Sequence, residues 1–438
     1  RSEFSISVDV YEKLPVPYGL VRFGVAPDHY KLKEVTKVFK RIAQMEGFRF
    51  LGNVCVGTDI GIDELSACYH AVIFANGAER EKDLGIPGEH LQGSHSAREF
   101  VAWYNGHPHY RDQHFDFTHR TAVIIGQGNV ALDIARMLVK SQGELKNTDI
   151  ADYAFEALSK SKIEEVHVIG RRGPMQASFT TKELREFDEL GGCTPTALER
   201  EIVLNDVSAL ELETSEDPCV KNNYNYIQKY SKNSRAPNRR ECCFRFGHSP
   251  LRINGRGSVS SLVLQKNRLK GQAFAQIAVP SKMQSVIDCG LVFRCIGSQA
   301  DPISGLPYDD QSGVLSNVAG RVTADGRVMA GVYVTGWGKR GSTGTIGTNR
   351  GDSVETVDAL LADLHLLKKP IYSADYLSKK LHSAGQVIVD FDSWEEIDKE
   401  EVLRGIAKQK PRQKITRISD MLALITAQSS VGSRQTPT

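Results

Sequence analysis

The sequence predicts an α/β fold in which one α/β unit is inserted between two separated parts of another. Short segments of strand length alternate with segments of helical spacing along most of the chain. One apolar segment, starting at Thr121, passes through two closely spaced glycines directly into an amphipathic helix pattern. Strand-like segments precede this unit, at Ala71–Ala75, and return after it, at Val332–Thr335. The inserted unit is therefore expected to begin at Thr121.

Composition limits the size and the partners. A chain of 438 residues is expected to hold two or three domains, and 40% hydrophobic with 25% charged residues is ordinary for a globular protein. The formal net charge of +2 argues against a nucleic-acid binder. No apolar run approaches the length needed to span a bilayer, while peripheral membrane contact stays open. The default oligomeric state is a monomer.

Cysteine spacing excludes several redox and metal centres. Of the eight cysteines, none forms Cys-x-x-Cys. This counts against a redox-active disulfide centre, a zinc ribbon and a cysteine-ligated iron–sulfur cluster, and no metal site is predicted. Adjacent Cys242 and Cys243 are interpreted as inert thiols of a reducing compartment rather than as a redox pair.

The region ahead of the glycine turn has the pattern of an α/β domain. Ser5–Tyr11 alternates apolar and polar residues, which predicts a strand that ends at the acid Glu12. Lys31–Met45 has helical spacing, and Phe48–Val56 and Ala71–Ala75 have the composition of strands.

The later elements follow the same alternation. Lys182–Leu190 is expected to be helical, and the glycine-rich run Gly341–Gly347 precedes a long helix that ends near Leu367. Polar Lys221–Arg240 is expected to form exposed loops, and Ser429–Thr438 a disordered tail. The predicted strands after the glycine turn are Val166–Gly170, Ser258–Gln265, Leu291–Ile296 and Val332–Thr335.

The glycine turn predicts a dinucleotide site. In a strand–turn–helix unit Gly126 allows the tight turn, Gly128 lets the backbone approach a pyrophosphate, and the small Ala131 lets the helix pack closely on the strand. The first helical turn offers N–H groups and a positive dipole end to phosphate. The alternative is an ordinary turn without a ligand, and the strand–turn–helix context weighs against it.

Two arginines predict which dinucleotide binds. Arg171 and Arg172 follow the predicted strand Val166–Gly170. An NAD site usually has an acid there for the ribose 2′-hydroxyl, whereas two guanidinium groups suit a 2′-phosphate. The sequence thus favours NADPH over NADH. A solvated basic loop is the alternative, which the position at the carboxyl end of a strand disfavours.

Four other features have both a functional and a structural interpretation. Glu12 is either a ribose-binding acid or a surface acid. The N–H groups of Gly344–Ile346 either stabilise negative charge on a reduced flavin or simply cap the following helix. For His29 and Asp133 a structural role is the default interpretation.

Longer segments extend the pattern beyond single motifs. They are Val8–Pro27 with Asp28-His29, Gly126–Asp133, Ile169–Pro174, Phe179–Glu186, Gly336–Ile346 and Phe391–Lys414. On these segments the chain resembles the adrenodoxin reductase group of ferredoxin–NADP⁺ reductases over nearly its whole length. The resemblance implies two Rossmann-like domains, an FAD domain at 1–118 and 331–438 and an inserted NADP domain at 119–330. It implies that electrons pass from NADPH through FAD to a small acidic [2Fe-2S] ferredoxin.

The resemblance also assigns site residues by position. His29 and Asp133 match a pair near the flavin–nicotinamide region and are the candidate catalytic residues. The candidates for FAD are Glu12, Leu20 and Val54 at the adenosine part, Trp337 at the flavin, and Gly344, Thr345 and Ile346 at its pyrimidine edge. The candidates for NADP are Gly126, Gln127, Gly128, Asn129 and Val130 at the pyrophosphate, Arg171 and Arg172 at the 2′-phosphate, and Glu183 elsewhere on the dinucleotide.

The sequence departs from the family in one place. The family's N-terminal Gly-x-Gly-x-x-Gly unit, expected about 20 residues ahead of Glu12, is not in the sequence. The expected consequences are loss of the FAD phosphate loop and exposed edges of neighbouring strands. This motivates the alternative of an NADP-binding fragment or non-catalytic protein. A flavoprotein that feeds another subunit, as in glutamate synthase, is disfavoured because no cysteine-rich N-terminal region is present.

Partner docking and compartment follow from the family. A basic surface that includes Lys182, Arg185, Arg239 or Arg240 could steer an acidic ferredoxin. Eukaryotic members are mitochondrial and bacterial members cytoplasmic, so both compartments stay open.

Overall fold

A computed structural model describes residues 5–344 and 346–432 of the chain. The strands are β1 Val8–Glu12, β2 Phe48–Gly52, β3 Val72–Phe74, β4 Arg80–Glu81, β5 Ser94–Ser96, β6 Thr121–Ile125, β7 Glu165–Ile169, β8 Cys193–Ala197, β9 Arg240–Arg245, β10 His248–Arg256, β11 Ser258–Lys270, β12 Ile277–Asp288, β13 Leu291–Arg294, β14 Ser298–Gln299, β15 Tyr308–Asp309, β16 Val314–Leu315, β17 Asn317–Val318, β18 Arg321–Ala324 and β19 Arg327–Val334.

The helices alternate with these strands. They are α1 Gly19–Phe23, α2 Tyr30–Lys33, α3 Thr36–Ala43, α4 Ile62–Cys68, α5 Ala97–Tyr104, α6 Asn129–Val139, α7 Gln142–Lys146, α8 Asp152–Ser159, α9 Thr181–Arg185, α10 Glu199–Ile202, α11 Asp206–Thr214, α12 Pro218–Ser231, α13 Trp337–Arg340, α14 Ile346–Ala362, α15 Asp375–Ser383, α16 Phe391–Ala407 and α17 Ile418–Gly432. Among the described helices, none is long and apolar enough to cross a bilayer.

We call the part of the chain from β5 to β13 the continuous half. It is built on a six-stranded sheet of order β5-β13-β6-β7-β9-β8. All of its pairings are parallel. Parallel sheets are covered on both faces, which explains why Ala122, Val123, Ile124 and Ile125 of β6 are all buried. One face packs on α6, which buries Leu132 among other apolar residues.

The other face of this sheet is covered by the antiparallel arm, β10-β11-β12. The arm packs Ile253, Val259, Leu262 and Leu264 against the strands. Because both faces of the sheet are buried, the strands are stabilised by apolar burial as well as by their interstrand hydrogen bonds.

The other half, the divided half, holds β1–β3 and β15–β19, and its described residues form two main sheets and the small antiparallel pair β15-β16. β1 and β2 pair in parallel, in register from Val8↔Phe48 to Glu12↔Gly52. The second sheet has the order β17-β18-β19-β3, with β19 parallel to β3. Among the described residues no strand lies between β1 and β3.

Two connections join the halves. β4 and β14 form an antiparallel ribbon in which Glu81 pairs with Ser298. The chain passes through this ribbon from one half to the other and back. Farther along, α16 and α17 pack on the N-terminal segment of the divided half, where Trp394 and Ile397 belong to one core with Val16. Lys410, which follows α16, reaches the continuous half and donates to Asp152 Oδ1 of α8 at 2.8 Å.

The predicted α/β class is confirmed, and one predicted loop is wrong. The sequence predicts exposed loops over Lys221–Arg240, but the residues up to Ser231 belong to helix α12. Asn223, Ile227 and Tyr230 recur at helical spacing and are buried. This narrow stripe is enough to dock α12, although the composition around it is polar.

Other predicted elements differ at their ends. Lys31–Met45 is divided into α2 and α3, and Lys182–Leu190 contains the end of α9 followed by a 3₁₀ turn at Glu186–Glu189. Of the predicted tail, residues up to Gly432 continue α17, and the rest lies outside the described residues. The domain boundaries at 118/119 and 330/331 stay predictions; the sheets group β5 with the later strands and β17–β19 with β3.

Candidate functional site

The turn between β6 and α6 has the geometry that dinucleotide binding requires. Gly126 has φ 135°, and its N–H donates to the Ile169 carbonyl oxygen at 2.9 Å. A Cβ there would lie 2.0 Å from the Cys295 carbonyl oxygen, so only glycine fits. At Gly128 the nearest atom to a Cβ would be Ser178 Oγ at 3.6 Å. The protein leaves this side of Gly128 open, which suits close approach of a phosphate.

The side chains of Gln127 and Asn129 hold the turn in place. Gln127 Nε2 donates to the Arg245 carbonyl oxygen at 2.9 Å, and Asn129 Oδ1 accepts from the Thr180 N–H at 2.8 Å. Val130, 43% exposed, lies in the first turn of α6. The N–H groups of a first helical turn have no intrahelical partner. The site therefore offers backbone N–H groups to an anion.

The arginines lie at the same edge of the sheet as the turn. β6 and β7 are parallel neighbours with Ile125 opposite Ile169, so the residues that follow each strand meet. Arg171 is exposed and Arg172 half-buried. In the described part of the chain neither arginine forms an ion pair, and Arg172 Nη2 donates to the Gln176 carbonyl oxygen at 3.3 Å. Two uncompensated cations thus border the glycine turn.

A buried charged cluster centred on Arg136 lies farther along α6. The guanidinium makes two hydrogen bonds to Asp28, Nε–Oδ2 at 2.7 Å and Nη2–Oδ1 at 3.1 Å. Its Nη2 also donates to Asp133 Oδ1 at 2.7 Å. Arg136 is fully buried, so these charge-assisted bonds compensate its loss of hydration. The other members of the cluster are His29, Lys140, Glu183 and Glu186.

The cluster brings together three residues predicted from the sequence. His29 Nε2 lies 2.8 Å from Glu186 Oε2 and 3.5 Å from Glu183 Oε2, and His29 Nδ1 lies 3.9 Å from Asp133 Oδ1. Burial lowers the pKa of His29, but the Glu186 hydrogen bond and neighbouring carboxylates raise it more, so the pKa is raised overall. Burial raises the pKa of Asp133 and of Glu183. The surroundings therefore favour the protonated form of each of these three groups.

Sequence reasoning missed four members of this cluster: Asp28, Arg136, Lys140 and Glu186. Arg136 follows Asp133 by three residues, and Glu186 follows Glu183 by three, so each pair shares a helical face. Those two spacings are the signal that could have identified Arg136 and Glu186. Asp28 has no such signal, because its contact with Arg136 joins segments 108 residues apart.

The divided half encloses a cavity of about 2620 Å³, bordered by β1 and β3. Small-molecule sites usually measure about 300–1,000 Å³, so this cavity is large enough for a ligand well above the usual size. Val8, Val10 and Ile73 line it and are 46%, 37% and 38% exposed. In the described chain β1 pairs with β2 alone and β3 with β19 alone, so each presents one unpaired edge.

Four predicted FAD-binding residues line this cavity: Glu12, Leu20, Val54 and Trp337. Glu12 Oε1 accepts the Leu14 N–H at 3.1 Å, and burial raises the pKa of Glu12. The Val54 N–H donates to the Glu12 carbonyl oxygen at 2.9 Å, which places Val54 beside the acid. Leu20 is 42% exposed and free to contact a ligand.

The loop that follows β19 is fixed by a buried acid. Asp352 accepts from Thr335 Oγ1 at 3.1 Å and from the Gly336 N–H. Trp337 Nε1 donates to the Thr343 carbonyl oxygen at 3.0 Å. The indole is thus held at the cavity wall by the protein's own hydrogen bonds.

The other predicted flavin residues lie past this wall. Gly344 and Ile346 do not line the cavity, and Thr345 lies outside the described residues. Gly344 has φ 82°, and a Cβ there would lie 2.2 Å from Thr348 Oγ1, so the turn requires glycine.

A second glycine pattern was missed in the sequence. Gly336, Gly338 and Gly341 repeat the Gly-x-Gly-x-x-Gly spacing directly after β19. The helix it opens, α13, has four residues and ends at Gly341. One turn does not build the aligned dipole of a long helix, so this pattern shapes the Trp337 loop and is not equivalent to the turn at Gly126.

The cavity fits FAD in its donor set. An acid at the carboxyl end of β1 suits ribose hydroxyls, and Trp337 offers an aromatic surface at another part of the wall. The apolar strand residues around them suit adenine and flavin rings.

The predicted basic patch is only partly free. Lys182 and Arg185 of α9 are exposed. Arg239 Nη2 donates to the Leu190 carbonyl oxygen at 2.6 Å, and Arg240 Nη1 to backbone carbonyls at the end of α6. The two α9 cations are therefore the better candidates for contact with a partner.

Comparison with known proteins covers nearly the whole chain. No established family model matches the chain. The chain is 40% identical over 435 residues to NADPH-ferredoxin reductase FprA of Mycobacterium tuberculosis, covering 96% of this chain and 93% of that protein. It is 41% identical over 433 residues to mitochondrial NADPH:adrenodoxin oxidoreductase of Arabidopsis thaliana, covering 95% and 89%. The structure of Mycobacterium tuberculosis FprA in complex with NADPH matches with a TM-score of 0.90 at 39% identity, covering 97% of this chain and 94% of that chain.

Proposed function

The chain belongs to the family of NADPH–ferredoxin and NADPH:adrenodoxin reductases, and from this premise we propose which residues serve its two cofactors and its partner. The protein is an oxidoreductase that uses NADPH and FAD to pass electrons to a ferredoxin. The alternative of a non-catalytic NADP-binding protein is not favoured, because the relatives that match nearly the full chain are named reductases.

One observation carries the NADP assignment: two unpaired arginines border a glycine turn that leaves its backbone open. We assign the backbone of residues 126–130 to the pyrophosphate, because helix N-termini bind anions. Arg171 and Arg172 take the 2′-phosphate, since guanidinium forks match phosphate geometry.

The FAD assignment rests on the cavity of the divided half. Glu12 binds the adenosine ribose, while Leu20 and Val54 contact the adenosine part. Trp337 contacts the flavin, whereas the assignment of Gly344, Thr345 and Ile346 to its pyrimidine edge rests on the family resemblance alone. When bound, FAD supplies the conversion of a hydride into single electrons, and the protein supplies position and field.

His29 and Asp133 act where the two cofactors meet, and Glu183 lies beside them. Arg136 fixes the carboxylates of this group, and the pKa values of His29 and Asp133 are both raised, which favours their protonated forms. Burial keeps water away from the group, which strengthens its field on bound rings.

The partner is a small acidic [2Fe-2S] ferredoxin that docks on Lys182 and Arg185, and the enzyme acts as a monomer. Opposite charges steer such a pair together. The compartment is mitochondrial in a eukaryotic source and cytoplasmic in a bacterial one; relatives of both kinds match the chain.

The visible spectrum of the purified full chain tests this function. With FAD supplied, we expect a flavin spectrum that bleaches when NADPH is added anaerobically and returns when an oxidised [2Fe-2S] ferredoxin follows. A colourless protein that still binds NADPH would instead support the non-catalytic alternative.

A further inference from the structure

The arginine loop, residues 170–177, is held by the antiparallel arm that covers the continuous sheet. The carbonyl oxygens of Gly170 and Arg172 accept hydrogen bonds from the N–H groups of His248 and Gly247, at 2.9 and 2.8 Å. Both donors lie where β9 passes into β10. The backbone on either side of Arg171 is thus tied to the arm.

The carbonyl of Arg171 itself is held by a side chain. Asn267 Nδ2 donates to the Arg171 oxygen at 2.8 Å and to Ser249 Oγ at 2.8 Å. Asn267 is 7% exposed, and its own N–H donates to the Gly247 oxygen at 2.7 Å. It lies where the β11–β12 register shifts after Gln265, at an irregularity of the kind that re-aims side chains beside functional sites.

The far end of the arginine loop is tied to the same arm through a second polar chain. Gln176 Oε1 accepts the Gly173 N–H at 3.1 Å, and Gln176 Nε2 donates to Glu211 Oε2 at 2.6 Å. Glu211 is 3% exposed and accepts the Phe274 N–H at 2.6 Å. Phe274 lies in the turn between β11 and β12, so the arm clamps the arginine loop at both ends.

We infer that Asn267 is a positioning residue that determines the preference for NADPH over NADH, with Gln176 as its counterpart at the other end of the arginine loop. The inference rests on the proposed 2′-phosphate role of Arg171 and Arg172. In the described structure Asn267 Oδ1 has no hydrogen-bond partner, and burying a lone acceptor costs free energy. The two Nδ2 bonds offset that cost, and one of them fixes the orientation of the Arg171 backbone.

The physical reason is the geometry of guanidinium recognition. A planar guanidinium group binds phosphate well only when its orientation and distance are fixed before binding. If the backbone of Arg171 is not held, the arginine side chain must be ordered when the ligand binds, and this costs free energy. In this assignment Asn267 contacts no part of a dinucleotide. Its substitution should therefore weaken the binding only of ligands that carry a 2′-phosphate.

The test compares 2′,5′-ADP with 5′-AMP, which differ by that phosphate, in calorimetric titrations of the full chain. Asn267→Ala should weaken 2′,5′-ADP about tenfold, the value of one hydrogen bond, and leave 5′-AMP unchanged. The matched control is Asn254→Ala, which removes a half-buried amide of the same arm that donates to Ser261 Oγ at 3.0 Å. The control should change neither affinity.

Two further variants separate the possible failures. Gln176→Leu frees the other end of the arginine loop and should shift 2′,5′-ADP in the same direction, which keeps the test valid if Asn267→Ala does not fold. Arg171→Ala with Arg172→Ala should abolish discrimination between the two ligands; if it does not, the 2′-phosphate assignment itself is wrong. If the arginine variant does lose discrimination, but Asn267→Ala and Gln176→Leu weaken both ligands equally or neither, the inference is overturned.

Discussion

The two halves of the molecule use similar parallel strands but differ in how completely those strands are paired. In the continuous half, β6 has a neighbour on each edge, and its central residues are fully buried. In the divided half, β1 and β3 each border the large cavity with one edge, and Val8, Val10 and Ile73 are partly exposed.

The difference shows how each half relates its binding site to its own stability. The continuous half buries both faces of its sheet and places its charged groups at the sheet edge and on α6. The divided half has its candidate ligand cavity between two sheets, so the walls of the site are also unpaired strand edges. A ligand that binds only the folded state stabilises it by mass action, and the divided half has more to gain from that.

Removing one buried cation from each half should give the largest difference in the loss of unfolding free energy. Arg136→Met leaves Asp28 and Asp133 without their shared partner and should cost about 3–5 kcal/mol. Lys339→Met should cost less, about 1–3 kcal/mol, because Asp352 keeps the bonds from Thr335 and Gly336. Urea unfolding at neutral pH measures both, and equal losses would contradict the central role of Arg136.

The arginine pair should affect only the cofactor of the continuous half. Arg171→Ala with Arg172→Ala removes two charge-assisted contacts, so NADPH binding should weaken on the order of 100-fold. NADH binding should change little, and FAD retention in the divided half not at all. Titration with both nucleotides measures the ratio, and equal weakening of NADH would contradict the 2′-phosphate assignment.

The ribbon between the halves should make stability depend on pH. Burial raises the pKa of Glu81 to about 7, because the Arg294 charge and the Ala97 N–H compensate it only in part. An acid with a raised folded-state pKa stabilises the fold while protonated; this contribution is complete below its usual pKa of 4.5 and is lost as pH rises through 7. Glu81→Gln should therefore raise stability at pH ~8.5 by about 2 kcal/mol.

The control for that prediction has the opposite sign. The hydrogen bond from Lys380 lowers the pKa of Glu64 in the divided half, so its contribution is present above its usual pKa of 4.5 and is lost on acidification. Thermal melts at several pH values should show Glu64→Gln losing stability only at the higher pH. If the melting temperatures of Glu81→Gln and of the unmodified protein change with pH in the same way, the pH dependence of stability does not come from Glu81.

Equivalent substitutions in one strand of each half test the pairing difference directly. Val123→Thr places a hydroxyl in the dry core of β6 and should cost about 1–3 kcal/mol. Val10→Thr faces the cavity of the divided half and should change stability by less than about 0.5 kcal/mol. Similar losses in thermal melts would show that the two strands are equally buried in solution.

The smallest expected effect concerns partner docking on α9. Reversing the charge of Lys182 and Arg185 with Lys182→Glu and Arg185→Glu should slow ferredoxin reduction several-fold at low ionic strength. The difference should fade as salt is added, because exposed charges are screened over about 8–10 Å. Stopped-flow rates across a salt series measure it, with Lys229→Glu on α12 as the control.

Local sequence patterns were sufficient to predict the α/β class, the turn at Gly126 and the position of Arg171 and Arg172 after a strand. Each depends on neighbours along the chain: strand, glycine and helix in one case, and strand followed by cations in the other. Periodicity failed where polar residues surround a narrow apolar stripe, as in α12, whose buried face has only three described members. Predicted helices also broke where local turns interrupted them, as between α2 and α3.

Contacts between distant segments were decided only in three dimensions. Asp28 reaches Arg136 across 108 residues, and Asn267 reaches Arg171 across 96. A buried charge or amide takes its role from whichever partner the packing places within hydrogen-bond reach, and no sequence period encodes that distance. The chain's own pattern thus predicted the cofactor chemistry, whereas the tertiary structure decided which distant residues contact the predicted site residues.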